Sequence, residues 1–336
     1  MTDQLDDRFH AALIARAKEA LDHWHVPKQE PELLKYRENA VFRVTLEDGK
    51  PAALRLHRPG YHGIDALKSE LMWMRKLSDD NIDVPNAIPD SGHELVIELP
   101  ANEAFAAQYA DVVSWMNGSQ LGESGTRLSY RQTERDALFR QVGARMADMH
   151  NSADAWQPPS NFFRPAWDAD GLLGEKPLWG RFWDCDILSQ ADKNQLSALH
   201  RRLQASLDAV LLTEPDYGLI HADLIRENVL VRDQQVAFID FDDCGYGFRL
   251  FDIATTLLRN QSEPDYQTLE AALIAGYRSR RSLSDTALAT LPLFLTLRSL
   301  TYIGWLAERP EMPDVQSRLK RYVAGSLQLA KAGGFR

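Results

Sequence analysis

One stretch of the 336-residue chain carries polar side chains at spacings that suit a reaction: residues 217–243, YGLIHADLIRENVLVRDQQVAFIDFDD. It contains His221, Asp223, Asn228 and Asp240. Short apolar runs at 218–220, 229–231 and 236–239 alternate with polar residues, so each is expected to be a buried strand with a functional group at its end. A tight turn at 232–235 would return the loop bearing Asp223 and Asn228 beside Asp240. One carboxylate can orient an attacking hydroxyl, while an amide oxygen and a second carboxylate hold magnesium. That is the equipment of phosphoryl transfer, where positioning and charge neutralisation supply most of the catalysis. The competing reading is a surface hairpin with scattered acids, and the fixed strand-loop-strand-turn-strand context argues against it.

The order His221-Ala222-Asp223-Leu224-Ile225-Arg226-Glu227-Asn228, then Ile239-Asp240-Phe241-Asp242, is similar to the kinase catalytic loop H-R-D-L-x-x-x-N with an Asp on the following strand. Continued through Cys244-Gly245-Tyr246-Gly247 and Phe251-Asp252-Ile253-Ala254, the segment resembles the aminoglycoside phosphotransferase and choline kinase family. The resemblance implies an α+β, bilobal protein-kinase-like fold. Its N-lobe is small, an antiparallel sheet with helices, and its C-lobe is larger and mainly helical. The resemblance also implies ATP- and Mg2+-dependent transfer of the γ-phosphate to a hydroxyl of a small molecule, an amino alcohol, aminoglycoside or sugar-like compound. Asp223 then orients the hydroxyl and accepts its proton, Asn228 and Asp240 hold the metal, and His221 supports the loop through hydrogen bonds. Asp242 stands where an extra metal or substrate contact would fall, and Asp252 bonds the catalytic-loop backbone.

Two positions depart from related patterns. Ala222 replaces the family's usual glycine. Ile225 stands where serine/threonine protein kinases usually carry lysine, which favours the small-molecule branch. A G-x-G-x-x-G loop and an A-P-E motif are both missing. Two further readings stay open. The tail at 297–309, together with His57-Arg58-Pro59, has a fainter similarity to the bacterial stress-response kinase A group, which phosphorylates protein serine or threonine. A nucleotide-binding pseudokinase is the other, and Arg55 is its one argument.

The preceding chain supplies elements to position these groups. Residues 5–24 form an amphipathic helix with Phe9, Leu13, Ala17, Leu21 and Trp24 on one stripe, ended by Pro27 and Pro31. Strands at 36–44 and 52–56 flank an Asp48-Gly49 turn and make a hairpin. By the resemblance this hairpin roofs the nucleotide, and its polar Glu38-Asn39 tip stands where a glycine-rich loop would cover the phosphates; an ordinary turn is equally consistent. Arg55 alternates with Leu54 and Leu56, so it is expected to face away from the apolar side of its strand. The resemblance puts it where the family often has the lysine that holds the α- and β-phosphates, although the two residues are not interchangeable. The helix at 64–77 turns Ile64, Leu67, Leu71, Met74 and Leu77 inward and carries Glu70, by analogy the partner of Arg55. Strands at 94–99 and 108–115 follow. Residues 114–118 read as the hinge, with backbone near Trp115 and Met116 meeting the adenine. Residues 1–116 are thus expected to be the nucleotide-binding N-lobe, and 117–336 the catalytic and substrate-binding C-lobe.

Further helices are expected at 131–150 (Leu138, Val142, Met146 and Met149 buried), 193–212 (Leu196, Leu199, Leu203 and Leu207), 250–258, 288–306 and 315–329. The run at 288–306 is apolar nearly all round and belongs in a core, with Arg298, Tyr302, Trp305 and Arg309 nearby. His150 ends its helix as a packing or capping residue. The loop-rich segment 157–183, with Trp156 before it, carries Phe162, Phe163, Trp167, Trp179, Phe182 and Trp183. It either packs these rings together or cages a substrate amine by cation–π contact.

Composition sets the outer bounds. With 44% hydrophobic and 26% charged residues, the chain is long enough for two lobes, each with a core. A net charge of -10 argues against general affinity for nucleic acid or an anionic membrane. Cys185 and Cys244 lack metal or redox spacing and are expected as free thiols in a reducing compartment. The start, MTDQLDDRFH, has no basic region or apolar core, and no apolar run nears the length of a membrane span. A cytoplasmic protein is expected. The remaining histidines show no metal spacing and no G-x-S-x-G elbow occurs, so acyl-transfer chemistry lacks support; the partners that the resemblance implies are ATP, Mg2+ and a small-molecule hydroxyl substrate.

Overall fold

The computed structural model describes residues 6–26, 30–36, 39–213, 215–310 and 312–335. Leu5, Pro27 and Glu38, to which the sequence assigns a helix start, a helix stop and half of the hairpin tip, lie outside the described residues. The chain divides into two compact units, 1–118 with 156–163 and 237–242, and 119–155 with 164–236 and 243–336.

The first unit contains α1 (Asp7–Leu21), β1 (Glu32–Tyr36), β2 (Ala40–Thr45), β3 (Pro51–Leu56), α2 (Ile64–Asp79), β4 (Ala87–Ile88), β5 (Ile97–Leu99) and β6 (Gln108–Ser114). Its sheet runs β1-β2-β3-β6-β4, with β5 also on β6, and every pairing is antiparallel. The Asp6 carboxylate caps α1 by accepting the Arg8 N–H. Leu13, Ala17, Leu21 and Trp24 join Phe42, Leu54 and Val112 in the core, as the stripe requires. Arg16 is buried beside them because its guanidinium bonds the Leu99 and Pro100 carbonyls.

The expected strand at 36–44 is two strands. These are β1, which includes Tyr36, and β2, from Ala40, paired antiparallel with a register shift between Leu33 and Lys35. As an edge strand only partly covered on one side, β1 shows little hydrophobic alternation and escapes a periodicity test. The strands expected at 94–99 and 108–115 run shorter, β5 from Ile97 and β6 only to Ser114.

The second unit contains β7 (Ser119–Gln120), α3 (Gln132–Ala155), β8 (Ala166–Trp167), α4 (Ala169–Leu173), α5 (Gln190–Leu211), β9 (Tyr217–Ile220), β10 (Val229–Arg232), β11 (Gln235–Phe238), β12 (Gly245–Phe248), α6 (Arg249–Leu258), α7 (Tyr266–Arg278), α8 (Asp285–Leu288), α9 (Leu291–Ala307) and α10 (Val315–Ala332). The end of β11 falls in the first unit. β12 pairs antiparallel with β9 and parallel with β8. The leucine and methionine stripes of α3 and α5 are buried as expected. His150 does not end α3, which continues to Ala155, because the imidazole is buried with partners of its own.

Two glycines set the crossing of α3 and α7. A Cβ at Gly143 would meet the Leu273 carbonyl oxygen, and one at Gly276 the Arg140 carbonyl oxygen. The helix backbones therefore touch where side chains would hold them apart. The helix expected at 288–306 is α9, which begins at Leu291 after the short α8, and almost all of it is buried. By length and composition the stretch Asp285–Ala307 could cross a membrane, contrary to the sequence expectation, but 72% of its apolar window is buried inside the protein, as in a core helix.

Gly143→Ala is expected to destabilise the fold by about 1–3 kcal/mol, because the new methyl must push two backbones apart. Scanning calorimetry should register this as a lower unfolding midpoint.

Candidate active site

The candidate catalytic turn begins where β9 ends. Ala222 has φ 66°, in the left-handed region that costs a residue with a Cβ roughly 1–2 kcal/mol and that glycine adopts without this cost. Asp252 on α6 holds the turn. Its Oδ2 accepts the His221 N–H at 2.9 Å and its Oδ1 the Ala222 N–H at 2.7 Å. His150 Nε2 lies 3.0 Å from Asp252 Oδ2, and His150 Nδ1 lies 2.9 Å from the Tyr277 hydroxyl. Burial, reinforced by the charge of Arg249, pushes the His150 imidazole down to about 4. The ring is therefore neutral near pH 7. A carboxylate only accepts, so Nε2–H donates to Asp252 and the Tyr277 hydroxyl donates to Nδ1. Burial acts to raise the Asp252 pKa, but the hydrogen bond and charge of His150, with the His221 backbone, outweigh it and lower it.

Asp223 and Asn228 meet on this platform. Asn228 Nδ2 donates to the Asp223 carbonyl at 2.9 Å and to Asp223 Oδ2 at 3.0 Å. Both are acceptors, so the amide nitrogen must face them and Oδ1 is turned elsewhere. Buried His221 accepts the Asp223 N–H on Nδ1 at 3.3 Å. Arg226 anchors the far side of the loop, donating to Asn260 Oδ1 at 2.8 Å, the Thr126 carbonyl at 2.7 Å and Glu263 Oε1 at 2.7 Å.

Arg298 of α9, which the sequence leaves only in the general neighbourhood, stands at the centre. It is fully buried, and its Nη2 lies 2.5 Å from Asp223 Oδ1. Its guanidinium sits 4.5 Å from the ring centroids of both Trp179 and Tyr302, contacts that restrict it further. Trp167 stacks on Phe251 at 5.4 Å and meets Trp179 edge-on at 5.3 Å. These rings pack together, and the cation that Trp179 holds belongs to the protein itself.

In the first unit, Arg55 and Glu70 meet, with Nη1 2.6 Å from Oε1. Arg55 does not lie on an open face, however. It is 6% exposed, and Asp111, its register partner on β6, takes Nε and Nη2 at 2.7 Å each. Asp111 also lies 2.8 Å from His57 Nε2. Burial works to raise the Asp111 pKa, but the charges of Arg55 and His57 prevail and hold it well below the usual carboxylate range. Burial works to lower that of Arg55, and Asp111 and Glu70 raise it well above its ordinary value.

Asp240 follows β11 with φ 68°, and its Oδ2 lies 3.1 Å from Lys35 Nζ on β1. Phe241 is buried edge-on against Trp73 at 5.5 Å. Asp242 is buried too, 4.0 Å from His57 and 3.8 Å from His62. Asn39 is buried and accepts the Arg58 N–H at 3.4 Å. The Trp115 ring carries Arg43 at 4.9 Å, and Met116 lies in the segment after β6. Asp240 belongs to the first unit, and Asp223, Asn228 and His221 to the second. Amide and carboxylate oxygens, without thiol or imidazole, are the donor chemistry of a hard cation such as magnesium. Nothing in the sequence pattern marks Lys35. Asp111 leaves one signal, an acid inside the apolar strand QYADVVS.

A backbone-anchored Asp223–Asn228 loop, with a strand cation paired to a helical acid but arginine in place of the usual lysine, is the arrangement expected of a protein-kinase-like phosphotransferase. The chain belongs to the phosphotransferase enzyme family, whose model matches residues 32–283. An uncharacterized protein of Deinococcus radiodurans is 30% identical over 266 residues, covering 76% of this chain and 71% of that protein. Amicoumacin kinase of Bacillus subtilis is 24% identical over 319 residues, covering 91% and 88%. Among solved structures, a microcompartment-associated aminopropanol kinase has a TM-score of 0.79 at 28% identity, covering 96% of this chain and 99% of that one. An amicoumacin kinase in complex with AMP-PNP and Ca2+ has a TM-score of 0.74 at 22% identity, covering 97% and 94%.

The folded His150 pKa of about 4 lies below its ordinary 6.5, so the unfolded chain binds more protons between those values and stability falls as pH drops from 6.5 to 4. Unfolding midpoints measured across that range should decline for the wild type. His150→Gln should lose stability at pH 7 and flatten the decline. Ala222→Gly should raise the midpoint, by up to about 1 kcal/mol in stability, by relieving the left-handed alanine.

Proposed function

We propose that this phosphotransferase moves the γ-phosphoryl group of ATP, with magnesium, to a hydroxyl of a small molecule. The observation that carries the reading is the Asp223 carboxylate, held by Arg298 and Asn228 on a turn locked by Asp252. Asp223 orients the acceptor hydroxyl and takes its proton. Its two oxygens offer about four lone-pair positions, one of which the hydroxyl would take. Arg298 fixes the direction of the carboxylate, and His221 keeps the shape of the loop.

Asn228 Oδ1 and the Asp240 carboxylate are the oxygens that would hold magnesium. When bound, the ion neutralises and orients phosphate oxygens. Residues 1–116 would form the nucleotide lobe, with Glu38, Asn39 and the backbone near Trp115 and Met116 around the nucleotide and Arg55 paired with Glu70 in its interior. Residues 117–336 would bind the acceptor. Similarity to aminopropanol and amicoumacin kinases supports a small-molecule acceptor over a protein one, with amino alcohols the first class to try. Free Cys185 and Cys244 accord with a cytoplasmic location.

Purified protein supplied with ATP, magnesium and a panel of amino alcohols, hydroxy amino acids and aminoglycosides should consume ATP with one of these classes. Asp223→Ala should reduce turnover roughly 100- to 10,000-fold with nucleotide binding retained. Asp240→Asn should abolish the response to magnesium. Undiminished turnover in both variants would overturn the assigned roles.

A further inference from the structure

The strand arginine that stands in the phosphate-binding position is engaged elsewhere. Three of its nitrogens bond Asp111 and Glu70, and its side chain is only 7% exposed. Turning Arg55 toward a ligand would leave two buried carboxylates without their cation, the costly way to break a buried ion pair.

Lys35 is placed differently. The β1 register shifts between Leu33 and Lys35, and irregularities of this kind re-aim side chains next to active sites. Its ammonium lies 3.1 Å from Asp240 Oδ2, with the lysine side chain 40% exposed and that of Asp240 33% exposed. A pair this open is weakly held, and a lysine on a flexible four-carbon stem changes partner readily. A positive charge thus rests on the carboxylate expected to meet the metal.

We propose that Lys35, and not Arg55, is the cation that holds the nucleotide phosphates, and that it neutralises Asp240 until a divalent ion replaces it there. The proposal rests on the phosphotransferase reading above. Once a divalent cation binds Asp240, repulsion displaces the ammonium, and phosphate oxygens are its next partner. Arg55 is then a structural cation that joins β3, β6 and α2.

Isothermal titration of the full-length protein tests this without turnover, using adenosine, and using ADP and AMP-PNP with magnesium. The wild type should bind AMP-PNP more tightly than adenosine. Lys35→Met should weaken ADP and AMP-PNP roughly 10- to 100-fold, the worth of a charge-assisted hydrogen bond, and leave adenosine unchanged. Lys35→Arg should recover part of the loss. Unchanged AMP-PNP affinity in Lys35→Met would overturn the proposal, and so would an equal loss of adenosine, which would mark Lys35 as merely structural. A wild type that binds neither compound would instead defeat the phosphotransferase reading itself. Without nucleotide, Lys35→Met should bind Mn2+ several-fold more tightly, because no ammonium competes for Asp240. Unchanged Mn2+ affinity would overturn the exchange of partners.

Discussion

A single buried carboxylate underlies the turn that carries Asp223. Asp252 takes two consecutive backbone N–H groups of the turn after β9 and a third hydrogen bond from His150. Buried N–H groups left unpaired are costly, so the turn can keep its left-handed Ala222 only while Asp252 is in place. Asp223 follows directly from that turn. Its direction is then set by Asn228 from its own loop and by Arg298 from α9.

The first unit uses buried charge in another way. Glu70, Arg55, Asp111 and His57 form a connected cluster with almost no exposure. Such a cluster adds little net stability against well-packed apolar side chains, but breaking it is expensive. Its effect is on specificity. Arg55 faces Asp111 across the β3–β6 ladder, and a slip of one residue would send the two charges to opposite faces. The pairing register and the position of α2 are thereby specified together.

How much of this is legible in the sequence depends on the distance between partners along the chain. His221, Asp223, Asn228 and Asp240 lie within one short segment, and their spacing shows through because a few residues of strand and turn carry all of it. The order of Arg55 before Glu70 is also readable, since strand and helix follow one another. Asp111 is 56 residues from Arg55 and Arg298 is 75 from Asp223, and no periodicity reports what covers the outer side of a strand. β1 is lost because its burial alternates while its residues do not, with Leu33 and Leu34 adjacent and Lys35 on the more covered side. The aromatic segment shows its rings in the sequence but not their partners. Trp167 meets Phe251, and Trp179 meets Arg298, only after β8 has been brought against β12.

The glycine crossing of α3 and α7 has a consequence far from any reacting atom. α3 supplies His150 and α7 supplies Tyr277, and their two side chains form the ledge on which Asp252 rests. The gap between those helices thus acts as a mechanical tolerance for Asp223, the proposed base, where an error of about an ångström can cost a hundredfold in rate. Two absent methyl groups, at Gly143 and Gly276, keep that gap closed.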